Sequence, residues 1–280
     1  MPELPQMQAL AERLDDAVRG SVIERVDVLG FSGLKTVDPP VSSVAGRTVA
    51  GVGHRGKYLV LALDDGVRVL VHLSQAGRVD IERPPKATRP RGAVVRFFFG
   101  PVAVAMLVRE HGHERKAGFW LLAPGDDGPL ARLGPEPGEG AFADLLRASG
   151  EGRQLHTLLR DQRFVAGIGR GYADDALNRA RVSPFASLKS LDADARERLI
   201  AAVRGVIADG LDRERERKGG LSEPKLGTEF EVHNHLGDPC PNCREALLRV
   251  SFESHEVVYC KACQTKGKVL ADRRLSRLLR

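Results

Sequence analysis

Cysteine is absent from the first 239 residues of this 280-residue chain, and only four occur in all. There is one tryptophan, three tyrosines and three methionines, and aromatic residues make up 5% of the total. No run of about 18 apolar residues exists, which excludes a membrane-spanning helix of ordinary length. The N-terminus lacks the basic and apolar stretches of a secretory signal peptide, so a cytoplasmic, nucleoid-associated location is expected. No internal repeat of useful length is present, which sets aside solenoids and propellers. Hydrophobic residues nevertheless make up 42% of the chain, enough for one large or two ordinary cores.

Acidic residues are also in deficit. The formal net charge is +6, and its placement is uneven. From Cys240 to the end the chain carries nine Lys or Arg against four Asp or Glu. A basic module of this kind points to an anionic partner. Residues 21 to 123 read as short strands with turn residues between them. "KYLVLALDDGVRVLVHL" is a hairpin with Asp-Asp-Gly at its turn, and "AVVRFFFGPVAVAMLV" is a second one. The predicted organisation is α+β in two domains. An N-terminal helix plus β-sandwich covers 1–123, a Gly/Pro-rich linker 124–140, a helical domain 141–232, and a cysteine-bearing basic module 233–280. The opening "MPELPQMQAL" fits a helix starting near Glu3 or Leu4, with Pro5 in its first turn. Ser190 is the expected N-cap of a long helix that follows it. The charged stretch 212–231 is expected to be mobile.

Cys240-Pro-Asn-Cys243 and Cys260-Lys-Ala-Cys263 are two C-x-x-C pairs separated by sixteen residues. Each pair forms a knuckle, and the spacing matches a tetrahedral four-cysteine zinc site. Four thiolates leave no open position, so one structural Zn2+ per chain is expected, and a pair of disulfides is the competing reading. The intervening segment alternates apolar and polar residues and predicts a β-hairpin. "VAGIGRGYADDAL" places Gly167, Gly169 and Gly171 before a helix starting near Tyr172. No strand precedes them, so a dinucleotide site is excluded. A helix N-terminus with Arg170 beside it suits a phosphate; a tight helix–helix crossing is the alternative.

In order along the chain, "MPELP", "GHRGKYLVLAL", "HLSQAGR", "LARLGPEP", "LRDQRFVAGIGRGYADDAL" and "PCPNC" to "YCKAC" resemble the formamidopyrimidine-DNA glycosylase / endonuclease VIII family. The tail "GKVLADRRLSRLL" is similar to an actinobacterial-type branch. The resemblance implies a helix–two-turn–helix domain with a four-cysteine zinc finger. It implies a bifunctional DNA glycosylase and abasic-site lyase acting in base excision repair on damaged double-stranded DNA, as a monomer. Removal of Met1 would expose Pro2 as a secondary amine that attacks C1′ of the damaged nucleotide. Glu3 would move protons, and Lys57, on an apolar-flanked strand, would hold the lesion phosphate. Gln75 and Arg115 would sit at the gap left by the extruded base. Gly169, Arg170, Tyr172 and His255 would meet DNA.

Four positions depart from the family's pattern: Gln6 for Glu, Gln75 for Met, Arg170 for Asn, and His255 for Arg. Each is expected to alter a DNA-facing role, while Pro2, Glu3, Lys57 and the four cysteines are kept. A redirected substrate preference follows from that pattern. The rival reading is a non-catalytic lesion- or DNA-binding relative.

Overall fold

The computed structural model describes residues 1–112, 116–218, 230–252 and 255–271, with Phe252 and His255 described by their backbones alone. The chain divides into two compact units. Met1–Arg132 with Gly210–Gly227 form the first, and Leu133–Asp209 with Thr228–Arg280 the second.

The first unit opens with helix α1, Leu4–Val18, whose Pro5 lies in the first turn. Eight strands follow: β1 Val22–Val28, β2 Val49–Arg55, β3 Tyr58–Leu63, β4 Arg68–His72, β5 Gly77–Glu82, β6 Ala93–Gly100, β7 Val104–Glu110 and β8 Gly118–Leu122. They form two antiparallel sheets, ordered β1-β6-β7-β5 and β2-β3-β4-β8. Strand β3 alternates half-buried and buried residues, the period-2 pattern of a strand with one face on a core. Leu59, Leu61, Val69, Val71, Phe119 and Leu121 come from one sheet, and Val95, Phe97, Phe99, Val104 and Met106 from the other. Phe97 and Phe119 meet edge-to-face with ring centroids 6.0 Å apart. The expected β-sandwich and both hairpins are therefore present. Gly66, at φ +84°, makes the turn after Asp64-Asp65, a conformation that glycine adopts without steric cost.

The second unit holds helices α2 Gly140–Ala148, α3 Leu155–Arg160 and α4 Arg170–Arg179, and most of α5 Ala193–Glu216. A hairpin of β9 Leu248–Phe252 and β10 His255–Tyr259 precedes the short helix α6 Lys261–Thr265. Two expectations are corrected. Ser190 closes a 3-10 turn, Leu188–Ser190, and its hydroxyl donates to Ser187 O at 2.7 Å. The cap of α5 is Asp192, whose Oδ1 accepts the Ala195 N–H at 2.7 Å; a carboxylate there also suits the helix dipole. Residues 212–216 of the stretch expected to be mobile are the last turn of α5.

Candidate active site and metal centre

Glu3 is the N-cap of α1 and forms a reciprocal capping box with Gln6. The Glu3 N–H donates to Gln6 Oε1 at 2.9 Å, and Gln6 Nε2 donates to Glu214 Oε1 at 3.0 Å. A side-chain amide accepts through its oxygen and donates through its nitrogen at once, which an ionised carboxylate cannot do. Glu214, from the last turn of α5, also takes Arg217 Nε at 2.9 Å, and Arg215 pairs with Glu12 at 2.7 Å. Pro2, Glu3 and Gln6 are buried, Glu3 at 5% exposure and Gln6 at 1%. Gln6 is thus not a DNA-facing residue. Its departure from the family's Glu is explained by Glu214, against which a second carboxylate would be repelled.

Helix α1 runs antiparallel to β2. Arg19 Nη1 donates to Ala50 O at 3.1 Å, Asp15 Oδ1 accepts the Val52 N–H at 2.7 Å, and Glu12 lies within the electrostatic reach of His54. Nine further residues of helix, from Glu12 back to Glu3, cover about 14 Å. Beyond His54 the strand ends at Arg55, where the Gly56–Lys57 turn closes the β2–β3 hairpin. The same register directs the start of α1 toward the turn end of the β2–β3 hairpin, where Lys57 lies. Lys57 itself is not on a strand. It lies with Gly56 (φ +57°) in the two-residue turn between the paired residues Arg55 and Tyr58, and it is 8% exposed.

His72 is a neighbour of this site that the sequence reading passes over. Tyr58 pairs with His72, and His72 with Gly118, in adjacent ladders. The Tyr58 and His72 rings lie 4.8 Å apart, and Trp120 meets Tyr58 edge-on at 5.7 Å. Burial, reinforced by the positive charge of Lys57, lowers the His72 imidazole to about 4. It is therefore neutral at pH 7, when its two ring nitrogens are one donor and one acceptor. The only hint in the residues is its place at the end of "VRVLVHL", directly before the loop that carries Gln75. Gln75 is exposed in a turn closed by the Gly77 N–H on Leu73 O at 2.8 Å. Arg115 lies outside the described residues, as does 219–229, the greater part of the stretch 212–231 expected to be mobile.

In the second unit, Gly169 is the N-cap of α4, and Arg170, its first residue, is exposed. Gln162 shapes the turn before it, donating to Ile168 O at 2.7 Å and accepting the Gly167 N–H at 2.9 Å. The Gly134 N–H reaches Gln162 O at 2.9 Å, which ties "LGPEP" to this turn. Tyr172 is corrected: it is 3% exposed, and its ring packs edge-on against Phe230 at 5.3 Å. Gly171 serves the same contact, since a Cβ there would come within 2.0 Å of the Phe230 ring. Gly171 thus gives room to a side chain outside any helix rather than to a helix–helix crossing, while Gly169 and Arg170 stay at the helix start.

Helix α4 also carries three buried polar residues that periodicity alone passes over: Asp174, Asp175 and Asn178. Asp174 is flanked by His156 Nε2 at 3.2 Å and His233 Nδ1 at 2.7 Å. Burial alone would raise its pKa; the two histidines outweigh burial and hold the carboxyl below its ordinary range. Asp175 accepts the backbone N–H groups of Glu231, Val232 and His233, while burial pushes it up to about 6.

The sulfurs of Cys240, Cys243, Cys260 and Cys263 all lie within 4.8 Å of one another. A tetrahedral ion with metal–sulfur bonds near 2.3 Å needs sulfur–sulfur edges of about 3.8 Å. Cys243 and Cys260 stand 3.5 Å apart. The Cys263 hydrogen bond lowers Cys243 to about 7, whereas burial raises Cys260 and Cys263. Four such thiols ionise together only around a cation, so the donor set fits a metal ion. Asn178 Nδ2 donates to Cys240 Sγ at 3.6 Å and to Gln264 Oε1 at 3.0 Å, linking α4 to the cluster. His255 opens β10 opposite Phe252.

A helix-led β-sandwich followed by a helical unit with a four-cysteine hairpin defines a two-unit helix–two-turn–helix protein. Two family models match: the formamidopyrimidine-DNA glycosylase N-terminal domain over residues 1–110 and the formamidopyrimidine-DNA glycosylase H2TH domain over 133–220. A formamidopyrimidine-DNA glycosylase of Symbiobacterium thermophilum is 32% identical, covering 98% of this chain and 93% of that one. The crystal structure of the MutM (Fpg) protein from Thermus thermophilus superposes with a TM-score of 0.80 at 28% identity, covering 95% of this chain and 100% of that one. A Lactococcus lactis Fpg bound to N7-benzyl-Fapy-dG-containing DNA shares the fold, with a TM-score of 0.82 at 21% identity, covering 94% of this chain and 100% of that one. The chain belongs to the formamidopyrimidine-DNA glycosylase family.

The Gln6–Glu214 contact makes a direct prediction. Gln6→Glu puts two buried carboxyls together, so the folded-state pKa of one of them rises. A raised carboxyl pKa contributes stability below its unfolded value and loses it as pH rises through the folded value. Urea unfolding of Gln6→Glu should therefore show a loss of about 2 kcal/mol at pH 8 and a smaller loss at pH 5. Adding Glu214→Gln should restore most of the difference. An equal loss at both pH values, unrelieved by the second change, would refute the contact.

Proposed function

We propose that this chain is a DNA-repair glycosylase with abasic-site lyase activity, acting on damaged bases in duplex DNA. The observation that carries the reading is the capped first turn of α1, directed toward the Gly56–Lys57 turn. With Met1 removed, Pro2 is a secondary amine. An α-amine has a pKa near 8 and is partly neutral at pH 7, and the positive end of α1 disfavours its protonated form. The nitrogen lone pair attacks C1′ of the extruded nucleotide, and the glycosidic bond breaks as the base leaves with a proton. The sugar ring opens to an iminium, which accepts electrons when the C2′ proton is removed and the C3′–O bond breaks. Water then hydrolyses the iminium, which frees the amine and leaves an aldehyde on the cleaved sugar.

Glu3, fixed beside that amine by its place at the helix cap, moves protons to the opening sugar and from C2′. Lys57 takes the lesion phosphate, with neutral His72 beside it. Arg170 and the start of α4 take a backbone phosphate, and His255 presents a titratable side chain to the backbone from its hairpin. Gln75 and Arg115 line the gap left by the base. Cys240, Cys243, Cys260 and Cys263 would hold Zn2+ as a structural ion, which fixes the hairpin and takes no part in the chemistry. A DNA substrate puts the protein's work at the nucleoid, in the cytoplasm.

Two measurements check this reading. Binding to abasic-site duplex should weaken steeply with salt, with a log–log slope of about −0.9 per phosphate neutralised. Arg170→Ala should flatten that slope by about one unit; an unchanged slope would remove Arg170 from the interface. Freshly purified, reduced protein should hold one zinc, and chelation should abolish DNA binding while leaving the N-terminal sandwich folded. Less than half an equivalent of zinc would count against the metal.

A further inference from the structure

Phe31 is 92% exposed, the most exposed of the large apolar side chains among the described residues. Leaving a Phe in water forgoes the stabilisation that burial of its ring supplies. The segment carrying it is nonetheless firmly built. The Leu29 and Gly30 N–H groups donate to Val94 O at 2.9 and 2.8 Å. Phe31–Gly33 is a 3-10 turn in which Gly33 is buried so tightly that a Cβ there would fall 2.3 Å from Val94 Cγ1. Leu34 forms a parallel bridge with Phe119, the Lys35 N–H donates to Phe119 O at 2.9 Å, and Thr36 Oγ1 accepts the Leu121 N–H at 2.8 Å. The ring is displayed by an anchored turn.

The register also fixes where it is displayed. Because Leu34–Thr36 runs parallel to β8, Phe31 lies at the end of the sheet where β8 begins. That end holds the row Tyr58, His72, Gly118, followed by the Lys57 and Gln75 turns. By register, position 31 is level with position 116, just before β8, and so with position 74, beside Gln75, and from there across β8 to this edge is two strand spacings, about 10 Å. Side chains on the Phe31 and Gln75 turns can span that gap between them, so a ring here faces the same side of the site as Gln75. Extruding a base unstacks its neighbours, and the gap must be filled. Gln75, exposed on the adjacent turn, is polar and does this poorly. Phe is among the side chains that wedge between base steps.

We infer that Phe31 is a DNA-inserting residue, its ring stacking on a base exposed beside the lesion. The inference rests on the glycosylase reading and adds a contact residue to it. Its ligand is a nucleobase face in duplex DNA that carries an abasic gap.

The test compares wild type, Phe31→Ala and Phe31→Trp on duplex containing a tetrahydrofuran abasic analogue and on undamaged duplex, by fluorescence anisotropy. Stacking on one base is worth between about 5-fold and 150-fold in affinity. Phe31→Ala should lose that much on the abasic duplex and far less on undamaged DNA, with unchanged thermal stability because the side chain is exposed. Phe31→Trp should bind as wild type does, with its added emission quenched by the abasic duplex. The inference is overturned if wild type prefers the abasic duplex while Phe31→Ala binds it equally well and the Trp emission does not move. If wild type itself shows no preference for the abasic duplex, the glycosylase reading fails, and this inference with it.

Discussion

The hydrogen bond between the Glu3 N–H and Gln6 Oε1, 2.9 Å long, is the constraint on which the first unit's chemistry depends. A chain start is ordinarily frayed, and a nucleophile placed there has no fixed direction. Here the capping box holds the entry to α1, Gln6 passes the constraint to Glu214, and Asp15 and Arg19 pin the other end of α1 to β2. The helix is thus a rod of fixed length whose far end sets the height of Pro2. On the proposed reading, the proximity of a positioned amine and carboxylate would reduce the entropy cost of the reaction. With Glu214 as its partner, position 6 is better filled by an amide, which accepts and donates at once, than by an ionised carboxylate.

The second unit adds a buried polar network to its apolar core. Asp174, Asp175 and Asn178 project from α4 into the unit's interior and satisfy backbone and side-chain donors there. Asp174 accepts His233, Asp175 collects three consecutive N–H groups, and Asn178 reaches both Cys240 and Gln264. One helix therefore connects the glycine turn at its own start to the metal ligands. Each partner left unpaired would carry the full desolvation cost of a buried polar group, so the network holds together or fails together.

Much of this is legible in the residues. The two hairpins, the sandwich and the cysteine knuckles follow from alternation, turn chemistry and spacing, all of which are local. The start of α1 can be read because Pro5 marks it. The role of Gln6 cannot, because its partner Glu214 is 208 positions away and belongs to a helix whose last turn reads as a mobile charged stretch. Lys57 reads as a strand residue because its neighbours are apolar; the positive φ of Gly56 makes it a turn residue instead. Tyr172 reads as a DNA contact, and Phe230 claims its ring. His72 goes unmarked because a histidine at a strand end has no distinctive pattern until Lys57 and Tyr58 are placed beside it.

The central claim is that the Pro2 nitrogen forms the covalent link to the sugar. Borohydride reduction of a mixture of processed protein and abasic-site duplex tests it most directly. The account predicts a stable protein–DNA adduct whose mass maps to the N-terminal peptide, and none from protein that retains Met1, whose Pro2 nitrogen is an amide. An adduct formed equally well with Met1 in place, or mapped to a lysine, would contradict it.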